Sequence, residues 1–196
     1  MRPFVRTVGL ALLLGWALAR ADEPGPSAAA LVRFHTACAS CHARECSGRQ
    51  SFQSGLTAAR GHILRYAPSA NPEMVRQLFD LLAETKRACR VVLPPADVAR
   101  PRWTAEQLRP WFNPDIDAWF IPLGTVHPPG ADISLEVARA TASASAELLD
   151  EELETLTAEP VREGRARLVV EATVPTRVFL LLRGVSALRG VALERR

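Results

Sequence analysis

The first apolar block of the chain has the layout of a cleaved leader. Two arginines precede residues 8–19, VGLALLLGWALA, and Ala19-Arg20-Ala21 then offers small residues at the positions that a signal peptidase reads. The block is shorter than the ~20 residues that a spanning helix needs, so cleavage before Asp22 is favoured over a permanent anchor. We expect a signal peptide over residues 1–21 and no stable membrane span after its removal.

Apolar positions at helical spacing follow the leader. Leu31, Phe34 and Cys38 lie on one stripe of a helix that the pattern predicts over residues 31–43. A polar loop rich in glycine and serine comes next. A second helix is predicted over residues 56–66.

A third helix has the clearest start signal in the chain. Asn71 suits the cap position, Pro72 the first helical position and Glu73 the positive dipole of the first turn. The apolar stripe of this helix comprises Val75, Leu78, Phe79, Leu82 and Cys89. The helix is predicted to end at Arg90, because the two prolines at 94 and 95 forbid its continuation.

Proline and tryptophan are frequent in residues 96–131. The prolines exclude long helices there, while Thr104 and Gln107 form the capping-box signature of a short one. The tryptophans, at 103, 111 and 119, are typical of hydrophobic packing at a domain seam. We expect a folded connector over this range.

Residues 132–196 give mixed signals. Residues 133–145 alternate partly like a strand but are rich in alanine, which favours a helix, and both interpretations stay open. Residues 146–156, AELLDEELETL, predict a helix. Two apolar runs, 167–174 and 177–182, predict a hairpin, with a third strand over 185–193. The sequence therefore predicts an α+β fold, in which a small all-α domain over residues 28–95 precedes the connector and a mixed, partly β region.

Charge excludes one class of function. The leader holds three of the 24 basic residues, which leaves 21 basic against 21 acidic side chains. A neutral mature chain argues against a nucleic-acid-binding protein. The charge is unevenly distributed, since residues 31–102 contain 11 basic and 5 acidic residues and residues 103–196 contain 10 and 14.

The strongest chemical signal is the pentapeptide Cys38-Ala39-Ser40-Cys41-His42. In this spacing two cysteines form thioether bonds to one edge of a haem, and the histidine that follows binds its iron. A thioredoxin-type pair would need a strand-to-helix setting, and a structural zinc site would need a second ligand pair at close spacing. The motif therefore predicts one covalent haem c, which agrees with export from the cytoplasm.

At these residues the chain resembles the class I cytochrome c family. Phe34 lies four residues before Cys38, as an aromatic of the family's first helix commonly does, and the helix over 71–90 resembles its last helix. The resemblance covers residues 28–95 and implies a small all-α haem domain. It does not extend to the C-terminal half.

The second axial ligand of the iron stays open at this stage. In the resembled family it is usually a methionine before the last helix, and Met74 is the methionine that remains after the leader is removed. His62 is the rival candidate. His35 shares a helix with His42 and would not easily reach the opposite haem face, and His127 lies in a proline-rich loop. An iron with no second protein ligand is a further alternative.

Two cysteines remain outside the motif, Cys46 and Cys89. An even remainder in an oxidising compartment favours a disulfide between them, with a pair of unbridged thiols as the alternative. The bridge would join the loop after the motif to the end of the third helix.

These observations predict a periplasmic mono-haem c-type cytochrome that transfers single electrons. It would act as a carrier or as the haem subunit of a redox complex, with redox proteins as partners, and an electron-transfer role is favoured over an enzyme. Two alternatives stay open. One is a haem enzyme or gas sensor with a five-coordinate iron, and the other is a partner-binding module with an accessory haem.

Overall fold

The computed structural model of the protein describes residues 25–42, 55–95 and 100–196. The first two ranges form a helical region and the third forms a sheet region. The helices are α1 (Ala28–Arg33), α2 (Ala39–His42), α3 (Leu56–Tyr66), α4 (Pro72–Ala88) and, within the sheet region, α5 (Ala105–Leu108). The strands are β1 (Arg102–Thr104), β2 (Phe112–Asn113), β3 (Ala118–Val126), β4 (Gly130–Leu149), β5 (Thr155–Pro160), β6 (Arg165–Glu171) and β7 (Thr176–Arg195).

Local sequence signals account for the helix starts. Asn71 caps α4, since its side-chain oxygen accepts the backbone N–H of Met74 at 2.8 Å. Pro72 occupies the first turn, as predicted. The predicted capping box of α5 is also confirmed, because Thr104 and Gln107 bond each other's backbone reciprocally.

The seven strands form one antiparallel sheet. The order is β2-β3-β7-β4-β5, while β1 pairs with β7 and β6 pairs with β4. The strands β4 and β7 pair with each other along most of their length, but their register shifts repeatedly between Glu136 and Ser145. These irregularities divide the sheet into two halves, since β3 and β5 flank one end of the long pair and β1 and β6 flank the other.

One hydrophobic core joins the two halves of the sheet. It contains Ile121, Leu148 and Leu180 from one half together with Ile133 and Leu168 from the other, all fully buried. Strand β6 shows the simplest pattern, in which every second side chain is buried. Alternation of this kind is what a strand with one face on a core requires.

The helical region covers the other face of the half of the sheet that β3 and β5 flank. Phe120, Phe179, Leu149 and Leu181 form a second buried cluster, against which Leu93 of the helical region packs. Because β3 and the first part of β7 are buried on both faces, these strands are apolar almost throughout.

The predicted fold class is wrong. The protein is mostly a large antiparallel sheet with few helices, and it is not a small all-α domain followed by a connector and a mixed region. Residues 96–131 contribute β1, β2 and β3 to that sheet. The prolines of this range lie at strand ends, in turns, in the short 3-10 helix Arg109–Trp111 or beside a register shift at Pro122, so they exclude long helices without excluding strands.

Two further predictions in the C-terminal half also fail. The helix expected over residues 146–156 is the end of β4, a turn and the start of β5. The runs 167–174 and 177–182 do not form a hairpin, because β6 pairs with β4 whereas β7 pairs with β1, β3 and β4. The alanine-rich residues 133–145 belong to β4, and the third strand expected over 185–193 is the second half of β7.

The predicted leader, residues 1–21, lies outside the described residues. Within the described ranges, no helix is both long and apolar enough to cross a membrane.

Candidate cofactor site

The motif residues lie at one cleft of the helical region. The cleft has a volume of about 40 Å³, or about 370 Å³ when its open side is included, and is lined by Ala37, Cys38, Cys41, His42, His62, Ile63, Tyr66 and Leu82. These residues come from the first helical segment, from α3 and from α4. The two helices that were predicted after the motif, α3 and α4, therefore provide the rest of the wall around the motif residues.

A change of helix type precedes the motif. Between α1 and α2, Phe34–Cys38 forms a π-helical segment, in which the N–H of Ala39 bonds to the C=O of Phe34. Such segments insert one extra residue into a helix and occur frequently at functional sites. The extra residue rotates α2 relative to α1, so Cys41 and His42 face the cleft while Phe34 and His35 remain buried.

Two imidazoles face each other across this cleft. The ring centres of His42 and His62 lie 6.1 Å apart, and their planes are inclined by 84°. His42 is half-buried and His62 is exposed. Tyr66, one turn further along α3, places its ring 5.2 Å from that of His62. Tyr66 was not predicted as a site residue, although its position four residues after His62 puts it on the same face of α3.

The two motif cysteines are free thiols with different exposure. Cys38 is half-buried and Cys41 is exposed. Burial, with a smaller effect of the neighbouring Cys41, raises the pKa of the Cys38 thiol to about 11. Reactive cysteines of disulfide-exchange proteins have a lowered pKa, because the thiolate is the attacking group. The thiol of Cys38 therefore has the opposite character from a thioredoxin-type nucleophile.

Met74 lies away from the cleft. It occupies the first turn of α4, and its side chain packs, partly buried, against the hydrophobic cluster of the helical region. It is not among the residues that line the cleft beside His42. The structure thus brings His62, and not Met74, to the motif histidine.

The other two histidines have different surroundings. His35 is 4% exposed, stacks on Phe120 with ring centres 4.0 Å apart, and donates from Nε2 to the C=O of Val92 at 2.9 Å. It belongs to the contact between the helical and sheet regions. His127 is exposed and follows β3 in the sheet region.

Cys89 ends α4 in a left-handed backbone conformation, with φ of 56°, and is disulfide-bonded. Its predicted partner, Cys46, lies outside the described residues. The pairing of Cys46 with Cys89 therefore stays a prediction.

The side chains at the cleft fit a covalent haem in their chemistry. Two imidazoles that bind one metal ion from opposite sides, with bonds of about 2 Å, have ring centres roughly 6 Å apart. The His42–His62 separation of 6.1 Å matches this distance. A porphyrin is larger than the enclosed part of the cleft and would extend through its open side. Among the described residues, no group of three or more His, Cys, Asp or Glu side chains is arranged around a metal position. A haem iron takes one or two protein ligands, fewer than such a group contains.

Comparison with known proteins adds no family. No family model matches the chain, and no curated protein sequence matches it significantly. A solved structure of a family GH115 4-O-methyl-α-glucuronidase, BtGH115A, with specificity for decorated arabinogalactans, is similar at 14% identity and a TM-score of 0.31. The match covers 71% of this chain and 25% of that one. At this level of similarity, it carries no statement about fold or function.

Proposed function

We propose that this protein is an exported c-type cytochrome, which holds one haem through Cys38, Cys41 and His42 and passes single electrons to and from redox proteins. The observation that carries the proposal is the cleft itself. Both motif thiols and the motif imidazole line it, and a second imidazole lies opposite. When bound, haem supplies a reversible one-electron change at its iron.

The residues of the chain have separable roles in this proposal. The thiols of Cys38 and Cys41 would fix the porphyrin edge, and His42 would bind the iron from the same helix. Ile63 and Leu82 would pack on the porphyrin face, since both line the cleft and are buried. Apolar packing of this kind excludes water and so tunes the potential of the iron.

The open side of the cleft is exposed, which suits electron exchange with a partner protein. Cys41 and His62 are exposed and Tyr66 is 48% exposed, so a partner could approach the open side of the cleft. The basic excess of residues 31–102 would steer an acidic partner to this region. Association would then slow as ionic strength rises.

A role as the haem subunit of a larger complex has its own support. The sheet region makes up half of the chain and contributes no residue to the cleft. Its strands β5 and β6 each pair only with β4 along one side, which leaves their other edges available to a partner strand.

Haem attachment tests the proposal directly. The full chain would be produced with its leader in cells that mature c-type cytochromes, and covalent haem would be measured by intact mass and by haem staining after denaturing electrophoresis. We expect one haem per chain in the parent protein and none in the double variant Cys38→Ala/Cys41→Ala. Ser40→Ala, which changes a variable position of the motif, is the matched control and should retain the haem.

The proposal would be overturned by a colourless parent protein whose mass equals that of the bare polypeptide. Haem that is lost from the parent protein on denaturation would also contradict it, because thioether bonds survive unfolding.

A further inference from the structure

We infer that His62 is the second axial ligand of the haem iron, so that the iron is held by two histidines and not by a histidine and a methionine. The inference rests on the proposed haem attachment. It concerns a different residue and a different bond, so the two can fail separately.

The two imidazoles lie close together in the cleft. A ring-centre distance of 6.1 Å is compatible with one metal ion bound between two imidazole nitrogens by bonds of about 2 Å. The 84° between the ring planes means that the rings do not stack on each other. Edge-to-face contact at this distance is also usual for packed aromatic rings; what points to ligation is that both imidazoles line the cleft that carries Cys38 and Cys41.

The packing of α3 holds His62 in place. Ile63, the next residue, is 2% exposed and belongs to the core of the helical region. The C-terminal end of α3 is fixed as well, since the N–H of Ala67 bonds to the C=O of Ile63 at 2.9 Å. The ring of Tyr66 lies beside that of His62, with ring centres 5.2 Å apart.

The competing ligands are held away from the cleft by their own contacts. Met74 packs in the helical cluster, and the start of α4 is fixed by the Asn71 cap. Moving its sulfur to the cleft would therefore require α4 to rotate out of its core. His35 is bonded to Val92 and stacked on Phe120, and so cannot leave without opening the contact with the sheet region.

Ligation by two histidines would affect which redox partners can exchange electrons with the protein. A methionine ligand raises the potential of a haem relative to two histidines, because a thioether favours the ferrous iron. With two histidines the protein would work at a lower potential. Its electron donor would then be a strongly reducing centre, and its acceptor a centre of low to moderate potential.

Absorption and EPR spectra of the loaded protein test the inference. The ferric protein should be six-coordinate and low-spin, without the near-infrared band that marks sulfur ligation. Near-perpendicular imidazoles should also give a strongly anisotropic low-spin EPR signal. We expect His62→Ala to become high-spin and to bind carbon monoxide when reduced, at a rate at least tenfold above the parent. Added imidazole should restore the low-spin spectrum.

Two further variants make the result decisive. Met74→Ala is the matched control and should keep the parent spectrum, while His62→Met should create the sulfur band and raise the potential. The inference is overturned if His62→Ala stays low-spin and excludes carbon monoxide, or if Met74→Ala alone loses the sixth ligand. Covalent haem is measured in every variant. Haem that is attached but unaffected by His62→Ala contradicts the ligand assignment alone, whereas absence of haem from the parent contradicts the proposed function.

Discussion

The helical and sheet regions differ in how they are stabilised and in what chemistry they carry. The sheet region has a core that is continuous through both halves of a seven-stranded sheet. The helical region has a smaller buried cluster and an open cleft. All four cysteines and three of the four histidines belong to residues 35–89, whereas the sheet region contains His127 alone. The reactive groups thus belong to the part with less core of its own.

Specific contacts join the two regions. Asn113 of β2 donates from Nδ2 to the hydroxyl of Thr36 at 2.8 Å, and both residues are buried. Arg33 and Asp115 form an ion pair at 3.3 Å, with their side chains 12% and 5% exposed. The sheet therefore supports the helix that presents the motif. This comparison predicts that the regions unfold together, although their compositions differ.

The largest expected effect comes from the cluster beneath the helices. Phe179 is fully buried and stacks on Phe120 with ring centres 5.3 Å apart. We expect Phe179→Ala to lower the free energy of unfolding by about 3–5 kcal/mol, because it leaves a cavity at the contact. The described tryptophans lie in the sheet region, so their fluorescence reports on that region, while haem absorbance or helical circular dichroism reports on the other. Both probes should shift to the same lower denaturant midpoint.

Val174→Ala is the control for this variant, since Val174 is 61% exposed and its truncation should change stability by less than about 0.5 kcal/mol. Two separate transitions in the Phe179→Ala protein, with only the fluorescence midpoint lowered and the midpoint of haem absorbance or helical circular dichroism unmoved, would show that the regions are independent.

A smaller loss of stability should follow when the pH is lowered. Burial lowers the pKa of His35 to about 4, against the opposing effect of its bond to Val92. Between pH 6.5 and 4 the unfolded chain binds a proton that the folded protein does not. The stability that neutral His35 preserves is therefore present above pH 6.5 and is lost as the pH falls toward 4. The expected loss is about 3 kcal/mol across this window.

Denaturation at a series of pH values, with the His35→Gln variant alongside, measures this loss. Carboxylates contribute equally to both proteins, so the difference between the two pH profiles isolates His35. Parallel profiles from pH 7 to pH 4 would contradict the assignment, because glutamine does not titrate in this range.

Features that depend on short-range bonds could be predicted from the sequence, whereas those that depend on long-range packing could not. The bounds of α3, the cap and start of α4 and the capping box of α5 were predictable, because short-range bonds determine them. The prediction of a helix over residues 146–156 was wrong because the apolar positions of this stretch fit both a helical and a strand period. Ala144, Ala146 and Leu148 are buried on one face of β4, and Asp150 turns the chain by accepting the N–H groups of Glu152 and Glu154.

The residues of the candidate site also divide into those that local spacing identifies and those that it does not. The pentapeptide identifies Cys38, Cys41 and His42 because their chemistry depends on close spacing. The choice between His62 and Met74 depends on which helix faces meet across a loop, and residue spacing alone does not determine that. The contact between Thr36 and Asn113, 77 residues apart, was equally beyond a local pattern.

The smallest expected effect tests cooperativity from the helical side. Asn71→Ala removes the side-chain oxygen that accepts the N–H of Met74, and we expect a loss of about 1 kcal/mol. Asn71→Asp retains an acceptor and should stay near the parent. Asn71 caps α4 at the exposed start of that helix, so a shift in the tryptophan midpoint would report a change transmitted to the sheet region. An equal shift in both probes supports one cooperative unit, whereas a shift in helical circular dichroism alone would show that the helical region melts on its own.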